Sequence, residues 1–188
     1  MRSRLLVWLG CCCLLPGPGR AEGGSRPLRV DPERSSIEVE VRATFDSFAG
    51  QLRTFQADIA IDPDRHSVEK ARLSLRMADV RTGRNLRDRH MLEWEESAIY
   101  PDVTFQLTSV GLSEGGPVRA RGNMLLHGVE HEVTFPVTFL VQGALYSIDG
   151  EVRLDYRDYG LPVIRKFWIL TVDPQLRVRF HLQGRLEE

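Results

Sequence analysis

Residues 118–141 read Val-Arg-Ala-Arg-Gly-Asn-Met-Leu-Leu-His-Gly-Val-Glu-His-Glu-Val-Thr-Phe-Pro-Val-Thr-Phe-Leu-Val, and both arms of the stretch alternate about a short polar centre. In the first arm Val118, Ala120, Gly122, Met124 and Leu126 share one side, with Arg119, Arg121, Asn123 and His127 largely on the other. In the second, Val133, Phe135, Val137, Phe139 and Val141 oppose Glu132, Thr134 and Thr138. A period of two is the mark of a half-buried strand. Gly128, in the His127–His131 centre, can take the positive φ of a tight reversal. The stretch therefore predicts a β-hairpin, with Pro136 marking a bulge or a place where no ladder N–H is needed.

Working outward, the same period recurs along most of the chain. Ile37, Val39, Val41, Ala43 and Phe45 alternate with Glu38, Glu40, Arg42 and Thr44, and Phe48-Ala49-Gly50 reads as a turn or bulge. Phe55, Ala57, Ile59 and Ile61 form a second run that Pro63 stops, and Ala71, Leu73, Leu75 and Met77 a third. The alternation breaks at Asn85–Trp94, which lacks β-branched residues and predicts one short helix. Val103, Phe105 and Leu107 resume it. After Gly143 come Tyr146, Ile148, Val152, Leu154 and Tyr156, then a loop at Tyr159–Pro162, an irregular apolar stretch over Ile164–Val172, and a last strand bearing Leu176, Val178, Phe180 and Leu182.

About eight strands with one apolar face each, and one short helix to cover them, cannot remain an open sheet. Short turns between consecutive strands favour an antiparallel eight-stranded barrel over a sandwich. Such a barrel is only just wide enough for side chains or one slender guest. The inward faces mix Phe45, Phe55, Phe105, Phe135 and Phe139 with Ala43, Ala57, Ala71, Ala120 and Gly122. Those small residues either leave a lumen open or fit the taper of a filled barrel, and composition leaves both open.

The ends and the charge bound the rest. Met1–Ala21 carries Arg2 and Arg4, an apolar run from Leu5 to Leu15, and Gly19-Arg20-Ala21, the pattern of a secretory signal peptide. The run is below the roughly 20 residues of a spanning helix. Residues 22–29 read as a flexible leader and 30–188 as one domain. Cys11, Cys12 and Cys13 all lie in the signal, so the processed chain would have no thiol and no disulfide. A lipidated cysteine is disfavoured by the bulky Leu9. Net charge is −1, and more negative once Arg2, Arg4 and Arg20 leave with the signal. With no basic cluster interleaved with aromatics, nucleic acid is not an expected partner.

Chemistry is sparse. His127 and His131 have a His-x3-His spacing, but across a turn this does not bring two ligands together as it does on a helix. Asp88 and His90 are a second acid–base pair without a third fixed partner. A metal-dependent or acid–base enzyme using His127/His131 or Asp88/His90 stands as one alternative, and a secreted interaction module with a filled core as another. No residue is assigned a catalytic or metal-binding role, and no cofactor is expected. Arg81, Arg84, Arg87 and Arg89 gather positive charge about the helix, where a guest's head group could meet one of them.

Three ordered motifs carry a family resemblance. Gly122-Asn123-Met124-Leu125-Leu126-His127-Gly128-Val129 followed by Val133–Val137 resembles a signature of the YceI-like proteins, the bacterial polyisoprenoid-binding group. Leu86–Leu92 followed by Tyr100-Pro101-Asp102-Val103-Thr104-Phe105 is similar to a second, and Arg157-Asp158-Tyr159-Gly160-Leu161 to a third. The chain departs from the pattern at Val41–Phe48, where members often carry a histidine, and at Met91, where Leu is usual. The resemblance implies a secreted or periplasmic lipocalin-like barrel holding an isoprenoid lipid, a quinone or polyprenyl phosphate, in an apolar lumen. On that reading Phe45, Phe55, Ile59, Leu75, Phe105, Met124, Phe135, Phe139 and Val152 form the lumen wall, and Arg81, Arg87 and His90 are the head-group candidates. Peripheral membrane contact and oligomeric state are left open.

Overall fold

The computed structural model describes residues 24–44, 47–112, 116–166 and 170–187. The segment read as a signal peptide, together with Phe45, lies outside these residues. The strands are β1 (Arg26–Val30), β2 (Ser36–Arg42), β3 (Ser47–Leu52), β4 (Gln56–Asp62) and β5 (Ser67–Arg76). Helix α1 (Asn85–Trp94) follows, then β6 (Asp102–Leu112), β7 (Val118–Leu126), β8 (Val129–Gln142) and β9 (Leu145–Asp155). The short β10 (Arg165–Lys166) and β11 (Leu170–Thr171) pair with each other before β12 (Gln175–Leu186).

The ring closes through β1, which pairs with β4 on one side and with β12 on the other. An eight-stranded antiparallel barrel results, in the order β1-β4-β5-β6-β7-β8-β9-β12. Along β12, β1 takes Gly184–Leu186 and β2 takes Arg177–His181, so the chain crosses from one to the other along the same edge. β3 extends the sheet beyond β2, and its outer edge meets Arg81 through Gln51. Consecutive antiparallel strands place the 63–66 and 143–144 turns at one end, with α1, the 127–128 turn and residues 156–174 at the other. The inward sets meet in register: Phe105 faces Met124, Val152 faces Val178, and Ile148 is flanked by Phe139 and Leu182.

Four differences from the sequence reading have physical reasons. The leader assigned to residues 22–29 is in part a strand: Leu28 is buried and pairs on both edges, the tertiary step that closes the barrel. One apolar residue among polar neighbours shows too little period for that strand to be read locally. Phe48-Ala49-Gly50 is not a turn but the middle of β3, where Gly50 admits Val80; a Cβ there would stand 2.8 Å from the Val80 Cγ1. Of the two roles expected of Pro136 the bulge is absent, and the registers fit the other, a place where no ladder N–H is needed. It is the last partner of β7 on β8, and pairing with β9 begins at Val137, so Pro136 sits where β8 exchanges one neighbour for another. Finally, the loop expected at Tyr159–Pro162 contributes to the core. A 3-10 turn over Tyr156–Tyr159, ended by Gly160 at φ 79°, buries Tyr156, Tyr159 and Leu161.

That turn stoppers the helical end of the barrel. Tyr156, Tyr159, Leu161, Val172 and Leu126 form one buried cluster. The Trp94 ring meets Tyr156 edge-on at 5.0 Å, and its Nε1 donates to the Pro162 carbonyl at 3.0 Å. The Tyr156 hydroxyl donates to the Val172 carbonyl at 3.2 Å, satisfying the polar tip of a buried aromatic.

Candidate lipid-binding cavity

Above the stopper the barrel is hollow. A cavity of about 1020 Å³ occupies its interior, at the large end of small-molecule sites. Its wall runs on β6 from Val103 to Leu112, nine residue steps or about 30 Å of strand. At a strand tilt of about 40° that is about 23 Å along the axis. The shape is long, narrow and closed at the bottom.

Why the interior stays open is visible at two glycines. The Phe105 ring lies over Gly122, where a Cβ would stand 2.5 Å from Phe105 Cε2, and the Phe180 ring lies over Gly150, where a Cβ would stand 2.7 Å from Phe180 Cε1. Each ring is thus seated against the barrel wall. Phe135 links them, 5.5 Å from Phe105 and 5.8 Å from Phe180. At these two positions the absent side chain receives a ring and leaves the axis clear, so the lumen is open.

Ile59, Leu75, Phe105, Met124, Phe135, Phe139 and Val152 all line the cavity. Phe55 does not; it is half buried between the clusters around Ile59 and around Leu52. Phe45 lies outside the described residues. Val137, Ile148, Val178, Phe180 and Leu182 are further wall residues. The period-two pattern already marks them as inward.

The charged candidates around α1 are elsewhere. Arg81, Arg87 and His90 are not in the lining and stand at the stoppered end. Arg81 donates to the Ala78 and Val80 carbonyls, Arg87 stacks 3.9 Å over the Phe48 ring, and His90 is exposed on the helix. The concentration of arginine reflects the outer surface of this end. Asp88 is buried as a helix-entry anchor, accepting from the Thr82 backbone N–H at 2.9 Å and from the Thr82 hydroxyl.

The metal and acid–base alternatives meet engaged side chains. His127 Nδ1 lies 3.0 Å from the Tyr159 carbonyl and His131 Nε2 lies 2.8 Å from the Asp158 carbonyl. A carbonyl only accepts, so each of those nitrogens carries the hydrogen, and the other nitrogen of His127 lies 3.3 Å from Glu96 Oε2. Both histidines fasten the 127–128 turn to the stopper. Among the described residues no group of three or more His, Cys, Asp or Glu side chains could hold a metal.

Among the described residues, ionisable groups enter the lining at the β4–β5 turn alone, through Arg65 and His66. Beside them the wall is parted. β5 pairs with β6 only from Arg72/Gln106 to Arg76/Asp102, so Ser67–Ala71 and Leu107–Leu112 are not paired with each other. At the same level the β6–β7 ladder shifts register between Leu107 and Ser109, a bulge that bends a strand. Both free edges contribute to the cavity, Ser67, Val68 and Ala71 from one and Leu107, Val110 and Leu112 from the other. Leu112, Val118 and Leu140 are exposed at the rim.

With this geometry in place, comparison with known proteins is direct. The model of the YceI-like domain matches residues 28–184. Protein YceI of Salmonella newport is 27% identical over 146 residues, covering 71% of this chain and 75% of the relative. A UPF0312 protein of Azotobacter vinelandii is 21% identical over 170 residues, covering 86% and 88%. Among solved structures, BcnA of Burkholderia cenocepacia superposes with a TM-score of 0.73 at 20% identity, covering 83% of this chain and 99% of that one. A polyisoprenoid binding domain from Saccharophagus degradans, implicated in plant cell wall breakdown, gives 0.62 at 16% identity, covering 87% and 100%. At these identities the structural likenesses speak for the fold.

Proposed function

We propose a function from the premise that this chain belongs to the YceI-like family: it is a carrier that holds one isoprenoid lipid in the barrel lumen. The chain is a binding protein and not an enzyme. One observation carries the reading. A long apolar cavity is stoppered at one end by Tyr156 and Tyr159 and opens at the other, the shape of a single extended chain. Each methylene-sized group buried there contributes about 0.8 kcal/mol before ordering costs are subtracted. The polyisoprenoid-binding neighbour from Saccharophagus supports the choice of guest.

The finer assignment is a quinone or a polyprenyl phosphate. The signal-like segment Met1–Ala21 supports a periplasmic or secreted location. N-terminal sequencing of the protein from its host tests the location; a mature chain starting near Glu22 is the expected result.

Titration of delipidated protein with prenyl alcohols of increasing length tests the carrier reading. Affinity is expected to rise with each added isoprene until the cavity is filled, then level off. Affinity independent of chain length would contradict it.

A further inference from the structure

We propose that the β4–β5 turn is the head-group subsite of the cavity: Arg65 and His66 receive an oxygen-rich head in the opening between β5 and β6, with the chain lying in the lumen below. This rests on the carrier reading and adds an orientation and a ligand chemistry to it. The first support is distribution. Along β6 the lining from Val103 to Leu107 is apolar apart from the hydroxyl of Thr104, and among the described residues its ionisable groups are Arg65 and His66 at the turn. An amphiphile whose tail fills the stoppered end must leave its head at the opposite end, because an unpaired polar head among Phe105, Phe135 and Val152 would lose its hydration with nothing in return.

The second support is donor chemistry. Arg65 has donors only and the His66 ring adds another, so the group they suit is an acceptor such as a phosphate or a quinone carbonyl, while the Ser67 hydroxyl donates to the Glu69 carboxylate at 2.6 Å and only marks the lip of the opening. The turn presents these side chains by construction. Buried Asp62 accepts the backbone N–H groups of Asp64 and Arg65 at 2.9 and 3.0 Å, and its other oxygen lies 3.6 Å from Arg65 Nε. That carboxylate is occupied in shaping the turn and does not line the cavity. His66 sits at φ 50°, and among the described residues its ring has no hydrogen-bond partner.

The third support is access. The parting of β5 from β6 above Arg72 and Gln106 places Ser67 on one lip of the opening and Leu107–Leu112 on the other. A head can rest there in water while its chain is covered. The Arg65 side chain is 77% exposed, so its contribution is that of a solvated ion pair and modest in size.

The test is displacement of the apolar fluorophore phenylnaphthylamine by geranylgeranyl phosphate, geranylgeraniol and a quinone bearing a similar chain. It compares the wild type with Arg65→Ala/His66→Gly, glycine being chosen because it accepts the positive φ. The wild type is expected to prefer the phosphate over the alcohol by about three- to tenfold. The double variant is expected to lose that preference by weakening the phosphate alone, and Arg65→Glu to weaken it further. Weakening of the quinone without the phosphate would support the same subsite with a neutral carbonyl head. Unchanged affinity for both in the double variant, or equal weakening of all three ligands, would overturn the proposal. Failure of every prenyl compound to displace the fluorophore from the wild type would instead overturn the carrier reading, and this inference with it.

Discussion

The Phe105 ring occupies the space that a Cβ on Gly122 would need: the built Cβ stands 2.5 Å from Phe105 Cε2 and also meets the Gln106 carbonyl. A side chain at this position has to move either the strand or the ring, and the ring's free direction is into the lumen. Gly122→Ala is therefore expected to destabilise the fold by about 1–3 kcal/mol, the cost of overpacking. It should also weaken long-chain guests more than short ones. Denaturant melts and a chain-length titration check the two effects; loss of stability without a change in length dependence would mean that Phe105 does not move into the lumen.

Polarity in the wall is the complementary test. Val137→Glu places a carboxylate among Phe139, Phe135 and Ile148 at the cavity surface. Binding of an uncharged prenyl chain is expected to fall by more than about tenfold, because a carboxylate beside a bound chain is either desolvated or keeps water in the lumen. The fluorophore assay measures this directly, and circular dichroism confirms that the barrel persists.

The stoppered end carries the pH dependence. Glu95 is fully buried, and neither carboxylate oxygen has a hydrogen-bond partner among the described residues. Burial pushes its carboxyl up to about 7, with His127 opposing and Glu96 adding to the rise. Its folded pKa lies above the unfolded value of 4.5, so its contribution to stability is full below about pH 4.5 and is lost as pH rises to about 7. Glu95→Gln is expected to stabilise the protein at about pH 8 by up to about 3 kcal/mol and to change little at about pH 4. Melting temperatures of the two proteins across that range measure it.

Tyr156 tests the stopper itself. Its hydroxyl donates to the Val172 carbonyl at 3.2 Å, and the ring is 1% exposed. Tyr156→Phe keeps the packing against Trp94 and leaves that carbonyl without this donor, at an expected cost of about 1 kcal/mol. Tyr156→Ala removes the packing as well, and a cost of about 3–5 kcal/mol is expected from a large-to-small change in a full core. Thermal or urea unfolding distinguishes the two.

Much of the architecture is legible in the chain because alternation is a local signal. The strands around Phe105, Phe135, Ile148 and Leu182 declare their inward faces residue by residue, and the helix at Asn85–Trp94 stands out by its lack of β-branched residues. What is not legible depends on partners distant in sequence. β1 exists because two barrel edges need closing, and Tyr159 and Leu161 are core residues because a 3-10 turn folds them under the barrel. The charged part of the site is hidden for the same reason. Arg81, Arg87 and His90 form a conspicuous basic segment, yet the topology puts them at the stoppered end. Arg65 and His66 look like an ordinary turn until the registers show β5 leaving β6 beside them. No local pattern reports that parting; a run of inward residues continuing past the last paired rung is its only trace.

The lumen is expected to hold an isoprenoid in the cell. Organic extraction of the protein purified from its native host, followed by mass spectrometry, tests it most directly. A prenyl chain bearing a quinone or phosphate head, recovered at close to one molecule per barrel, is the predicted result. An extract free of lipid, or one containing only straight-chain acyl lipids, would contradict it.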